Sequence, residues 1–191
     1  MDLVTISENI LRDCLGAKAG EEVYIVTDDT RVPIAQALYE GAKNLGCEAM
    51  VTVMKERELN GQEPPKAVAA AMKAADIVIC PTAKSLTHTN ARIQAVAEGT
   101  RVATMPGITE EMFSQGAMTA DYSAVAALTA KITDLLTECR TAKIEKDGCV
   151  LTLKLDGRKG VPSPGVYKEA GQSGNLPSGE AYIAPLEDGV D

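Results

Sequence analysis

The chain has 191 residues, 45% hydrophobic and 24% charged, which suits one core, or one core and part of another, and excludes global disorder. Its 19 basic and 27 acidic side chains give a net charge of −8, with no basic block and only 3% aromatics, so neither nucleic acid nor an anionic membrane surface is an expected partner. No apolar run approaches the roughly 20 residues of a membrane span, and Met1-Asp2-Leu3-Val4 opens no signal segment, so the expected location is cytoplasmic.

Along the first 141 residues, helix-like and strand-like segments alternate. Thr5-Ile6-Ser7-Glu8 predicts a capping box, and Ile6, Ile10, Leu11, Cys14 and Leu15 form a helical stripe that ends near Gly16. Val23-Tyr24-Ile25-Val26 is a short apolar run of the buried parallel type. Asp28-Asp29-Thr30 follows, and Pro33 opens a helix carrying Ile34, Leu38, Ala42 and Leu45. A strand is expected from Ala49 to Met54, and a helix opened by Pro64-Pro65 carries Val68, Ala71, Met72 and Ala75. Ile77 to Cys80 reads as a third strand stopped by Pro81, and Thr89 or Asn90 caps the helix of Ile93, Val96 and Ala97. Val102 to Met105 is a fourth strand stopped by Pro106, Thr109 is an N-cap, and Glu110 and Glu111 suit the first turn behind it. A long helix after Asp121 carries Val125, Leu128, Ile132, Leu135, Leu136 and Cys139 on one face, which predicts burial of that face.

This alternation predicts an α/β three-layer sandwich with a mostly parallel sheet, flavodoxin-like or Rossmann-like, its strand order open. From residue 142 the pattern changes. Lys143 to Glu145, a turn at Asp147-Gly148, and Leu151, Leu153 and Leu155 in alternation predict a β-hairpin. Beyond Gly160, Pro and Gly are dense and no helical period appears. The expected organisation is therefore an α/β domain over 1–141 and the β-rich beginning of a second domain over 142–191. The sequence ends at Asp191 within a turn-like Glu187-Asp188-Gly189 stretch, which reads as a fragment or as a chain that stops where a second domain should begin.

The five cysteines (Cys14, Cys47, Cys80, Cys139 and Cys149) occur singly in apolar stretches, with no metal spacing, and are expected to be small buried thiols. Thr27-Asp28-Asp29-Thr30 stands where a dinucleotide fold places its glycine-rich turn, so a dinucleotide site there is not expected. Asp28 and Asp29 lie just past a strand's carboxyl end, a ligand position in open α/β sheets and equally an N-cap position for the next helix. Thr82 to Asn90 also follows a strand; it holds Lys84 and His88, the lone histidine, in a hydroxyl-rich loop that serves either a ligand or the cap of the next helix. In Gly171-Gln172-Ser173-Gly174-Asn175-Leu176-Pro177-Ser178-Gly179-Glu180, the glycines and proline present Glu180 directly before Ala181-Tyr182-Ile183, as a hard oxygen ligand or as a solvated turn residue.

Asn175-Leu176-Pro177-Ser178-Gly179-Glu180-Ala181-Tyr182-Ile183-Ala184-Pro185 resembles the metal-binding segment of the aminopeptidase T/aminopeptidase S family of metallo-aminopeptidases. Ser85 to Arg92 and Arg101 to Thr109 resemble that family's amino-terminal domain. The resemblance implies a two-domain, dimeric enzyme acting on peptides, with two divalent ions (Zn, Co or Mn) about 3.5–4 Å apart that polarise the scissile carbonyl and supply hydroxide. Glu180 maps onto one metal ligand, the other ligands and the catalytic residues being expected downstream of Asp191. Lys84, His88, Asp28 and Asp29 become candidates for the substrate cavity. One carboxylate does not hold a catalytic ion, so the 191-residue chain is expected to lack peptidase activity by itself. Relatives of that family include ring-cleaving dihydroxypyridine dioxygenases with a single iron, the alternative reading, and a non-catalytic α/β interaction or dimerisation module is a third.

Overall fold

The computed structural model describes residues 2–188, so Met1, Gly189 of the expected terminal turn and Asp191 lie outside the described residues, while Glu187 and Asp188 are in a turn. The chain forms two compact units, Met1–Tyr122 with Gly165–Ser178, and Ser123–Pro164 with Gly179–Asp191. The strands in chain order are β1 (Glu22–Asp28), β2 (Glu48–Met54), β3 (Ile77–Thr82), β4 (Arg101–Pro106), β5 (Thr141–Lys146), β6 (Cys149–Lys154), β7 (Val161–Ser163), β8 (Ser173–Asn175) and β9 (Glu180–Tyr182). The α-helices are α1 (Leu3–Asn9), α2 (Val32–Asn44), α3 (Lys66–Ala74), α4 (Asn90–Ala97), α5 (Glu110–Ser114) and α6 (Tyr122–Glu138).

The first unit is an α/β sandwich around a five-stranded sheet of order β2-β1-β3-β4-β8, every pair parallel. From β1 the chain turns outward to β2 and then crosses back to β3 on the other side of β1. With right-handed crossovers, that reversal places α2 and α3 on opposite faces. Contacts follow this plan: α1 packs on α2, and α3 on α4. Tyr24, Val26, Val78 and Val102 from the strands join Val68, Met72, Ala91 and Ala95 from α3 and α4 in one buried cluster. α1 and α2 approach closely at Gly41, where a Cβ would lie 2.9 Å from Ser7 Cβ.

Local details differ from the sequence reading in instructive ways. The cap of α1 is Asp2, whose carboxylate accepts from Thr5 N (2.9 Å) and Thr5 Oγ1 (2.8 Å), which holds the Asp2 carboxyl below its usual pKa; Thr5 is inside the helix. α1 continues as a π-helical turn over Ile10–Cys14. Pro81 does not stop β3, because the β1–β3 ladder has already ended at Ile79 and the missing N–H forfeits no bond to β1. Residues 173–175, where the sequence reading marks no individual strand, form the fifth strand, held by Val102↔Ser173 and Thr104↔Asn175 register and by Leu176 N donating to Thr104 O at 2.9 Å. Gly174 is required there, since a Cβ would sit 2.2 Å from Tyr167 Oη.

In the second unit, β5 and β6 form the expected hairpin, turning through Asp147 (φ 50°) and Gly148 (φ 80°), both in the left-handed region that suits a two-residue hairpin loop. β7 pairs antiparallel with β9. The predicted apolar face of α6 is not buried: Leu128 is 60% exposed, Ile132 39% and Leu135 47%, whereas Thr129 and Thr133 are buried. Cys139, just past the end of α6, and Cys149, at the start of β6, are likewise exposed, against the expectation of five buried thiols, and the neighbouring Leu135, Val150 and Leu151 are exposed with them.

Candidate functional site

The reversal of chain direction falls between β1 and β3, and open sheets gather their ligands at the carboxyl ends of strands around such a point. Asp28 closes β1 there, 1% exposed. Its Oδ1 accepts from Thr30 N (3.0 Å) and Thr30 Oγ1 (2.6 Å), and its Oδ2 accepts from Ala83 N (2.6 Å). Thr27 Oγ1 adds a bond to Pro81 O at 2.9 Å. Asp28 is thus neither a free ligand group nor the cap of α2, whose N-cap is Arg31 without a side-chain hydrogen bond. Its carboxylate fastens the loop after β1 to the loop after β3. Asp29 beside it is exposed.

A cleft of about 200 Å³ opens between the loops following β1 and β4, lined by Thr30, Arg31, Pro33, Ile34, Thr109 and Glu110. Arg31 Nη1 donates to Thr30 O at 3.0 Å, while its buried Nε has no hydrogen-bond partner among the described residues.

The loop after β3 is pinned at several points. Thr82 Oγ1 donates to Lys84 O (2.7 Å), Ser85 N to Asn60 Oδ1 (2.9 Å), and Leu86 is fully buried. Thr89 caps α4, its Oγ1 accepting from Arg92 N at 3.3 Å, as the sequence suggested. Asp28 and the Lys84–His88 loop are therefore brought together at one edge of one sheet, with Lys84 partly exposed and His88 exposed.

A polar cluster lies beside that loop. Ser85 Oγ donates to Thr87 Oγ1 at 2.9 Å, Thr87 Oγ1 lies 2.8 Å from Thr104 Oγ1, and Thr104 Oγ1 donates to Asn175 Oδ1 at 2.7 Å. Thr87 Oγ1 is also 3.0 Å from Asn175 Oδ1. Arg92 donates through Nε to Thr87 O (2.8 Å) and through Nη1 to Ser173 Oγ (2.9 Å), and burial lowers its pKa. None of these six residues was a named site candidate in the sequence. Ser85, Thr87, Arg92, Thr104 and Asn175 did lie inside the segments that carried the family resemblance, but the bonds that Thr104 and Thr87 make to Asn175 span 71 and 88 residues.

Glu180 belongs to the second unit, where it opens β9, pairs in register with Ser163 and is exposed. Among the described residues no three His, Cys, Asp or Glu side chains come together to hold a metal ion, so these residues do not by themselves make a metal centre. The buried thiols are chemically quiet, Cys14 and Cys80 both pushed up to about 12 by burial. No helix among the described residues is long and apolar enough to cross a membrane.

No curated protein matches this sequence. Among solved structures, the fold resembles 2,5-dihydroxypyridine dioxygenase from Pseudomonas putida KT2440, with a TM-score of 0.76 and 19% identity over 99% of this chain and 57% of that one. It also resembles wild-type AmpT from Thermus thermophilus, with a TM-score of 0.65 and 15% identity over 99% of this chain and 62% of that one. The chain thus spans about three fifths of each, and at these identities the likeness is one of fold. The expected tie to the aminopeptidases goes no further than that second likeness. The family model described as NicX, 2,5-dihydroxypyridine 5,6-dioxygenase, matches residues 2–191, and the chain belongs to that family.

Proposed function

We propose that this chain provides the α/β scaffold, and the β-rich opening of a metal-binding domain, of an iron-dependent dioxygenase that cleaves the ring of 2,5-dihydroxypyridine. The observation that carries this reading is the family match over residues 2–191. It replaces the peptidase as the leading reading, since the aminopeptidase likeness rests on fold alone.

On this reading, the carboxyl edge of the sheet in the first unit faces substrate. Lys84 and His88 are its exposed or half-exposed polar groups, and Asp28 acts behind them by holding the two loops in register. Glu180 contributes one carboxylate to the metal domain. Iron, when bound, supplies oxygen activation; no step is assigned to it, because the described residues do not form its site.

One observation favours a second reading, a two-metal aminopeptidase with Zn, Co or Mn, a peptide substrate and a homodimeric assembly. The Asn175–Pro185 segment, which resembles the metal-binding segment of that family, carries Glu180 at the start of β9.

The test uses the product of the native open reading frame. Fe(II), O₂ and 2,5-dihydroxypyridine are supplied, and ring absorbance and O₂ uptake are followed together. Loss of the ring with one O₂ consumed per ring supports the dioxygenase. Release of leucine from a leucyl anilide with Zn, Co or Mn, and no ring loss, overturns it in favour of the peptidase.

A further inference from the structure

We infer that the side-chain amide of Asn175, with the Arg92 guanidinium beside it, binds an acceptor oxygen of the substrate at the carboxyl edge of β3, β4 and β8. This inference rests on the dioxygenase reading and adds to it a substrate-recognising residue pair.

The argument begins with hydrogen counting. Each hydroxyl donates once. Ser85 donates to Thr87, and Thr87 and Thr104 both stand as donors to Asn175 Oδ1, so the hydroxyl hydrogens run toward that one oxygen. Such a chain polarises its members cooperatively and turns the Asn175 carbonyl inward. Both Nδ2 hydrogens are then directed away from the cluster, without a protein partner among the described residues, on an exposed residue that ends β8.

Arg92 reinforces the site. Its two bonds go to Thr87 O and Ser173 Oγ. Ser173 and Asn175 are two apart on a strand and share a face, and Thr87 touches both Arg92 and Asn175. Amide donors and a partly desolvated cation thus stand next to one another and complement an oxygen that only accepts, such as an ionised ring hydroxyl.

A purely structural role explains the arrangement less well. The β4–β8 ladder, Val102 N donating to Gln172 O (3.0 Å) and Leu176 N donating to Thr104 O (2.9 Å) already hold the strand.

The test is anaerobic binding of 2,5-dihydroxypyridine to the Fe(II)-loaded native gene product, with thermal melting alongside. Asn175→Asp keeps shape and the inward oxygen and replaces the outward donors with an acceptor. It is expected to weaken binding by about tenfold or more with little change in melting. Arg92→Gln is expected to weaken binding by a similar factor and decides the matter if Asn175→Asp fails to fold. Pyridine, which lacks both hydroxyls, is expected to bind wild type and variants alike. Wild-type affinity for 2,5-dihydroxypyridine in a folded Asn175→Asp protein, or in Arg92→Gln, overturns the inference while leaving the dioxygenase reading intact. Absence of wild-type binding overturns both.

Discussion

Asp28→Asn isolates what one buried carboxylate does for the first unit. The wild-type group accepts three hydrogen bonds, two from Thr30 and one from Ala83 N. Asparagine keeps one oxygen for Thr30 but turns an NH₂ toward Ala83 N, so that two donors face each other across the 2.6 Å that now holds a hydrogen bond. An orphaned backbone N–H costs about 1–3 kcal/mol, and the two surviving bonds lose their charge assistance, roughly half their strength. Burying a neutral amide in place of a carboxylate offsets part of this. The net expectation is a loss of about 2–3 kcal/mol, which for a chain of this size lowers Tm by about 5–10 °C. The assay is thermal and urea unfolding at neutral pH, followed by far-UV circular dichroism. Asp29→Asn, at an exposed position, is the control and is expected within about 0.5 kcal/mol of wild type. A Tm for Asp28→Asn within about 1 °C of wild type, or an equal loss for Asp29→Asn, refutes the assignment of Asp28 as a clasp between loops.

In native buffer, Cys139 and Cys149 should react promptly with a thiol reagent, and Cys14, Cys47 and Cys80 only after denaturation; rapid reaction of a third thiol contradicts the burial described. Alkaline pH should destabilise the fold. Burial raises the Cys14 and Cys80 thiols from 9.0 to about 12, so the folded state retains protons that the unfolded state releases. This stability is complete below the unfolded pKa and is lost as pH rises from 9 toward 12, by about 1.4 kcal/mol per thiol at pH 10. Cys80→Ala should flatten the dependence of the urea midpoint between pH 8 and 10, and an unchanged slope counts against it. Gly174→Ala should cost about 1–3 kcal/mol by driving a methyl into Tyr167, 2.3 Å from its Cζ, and a variant as stable as wild type would show that β8 is not seated as described.

The strands and helices of the first unit were readable because their signals are local. Pro33 in the first turn of α2, Thr89 before α4 and Thr109 before α5 act within three or four residues, and apolar runs such as Val23–Val26 mark buried parallel strands. The edge of the sheet that carries Asp28 and the Lys84–His88 loop was legible for the same reason, since each directly follows a strand. What those residues do was not. Asp28 is a preferred capping type, yet its Oδ2 is taken by a backbone N–H 55 residues away, and no local rule foresees that choice. The Ser85–Thr87–Thr104–Asn175 chain exists only because residues 165–178 return to the first unit and place β8 beside β4. Periodicity placed Leu128, Ile132 and Leu135 on one face of α6 but carried no information on whether another element covers it. Helical period and end-capping are decided over a single turn of chain, whereas burial, strand partners and the direction of a shared hydroxyl proton depend on segments that meet only after the chain has folded.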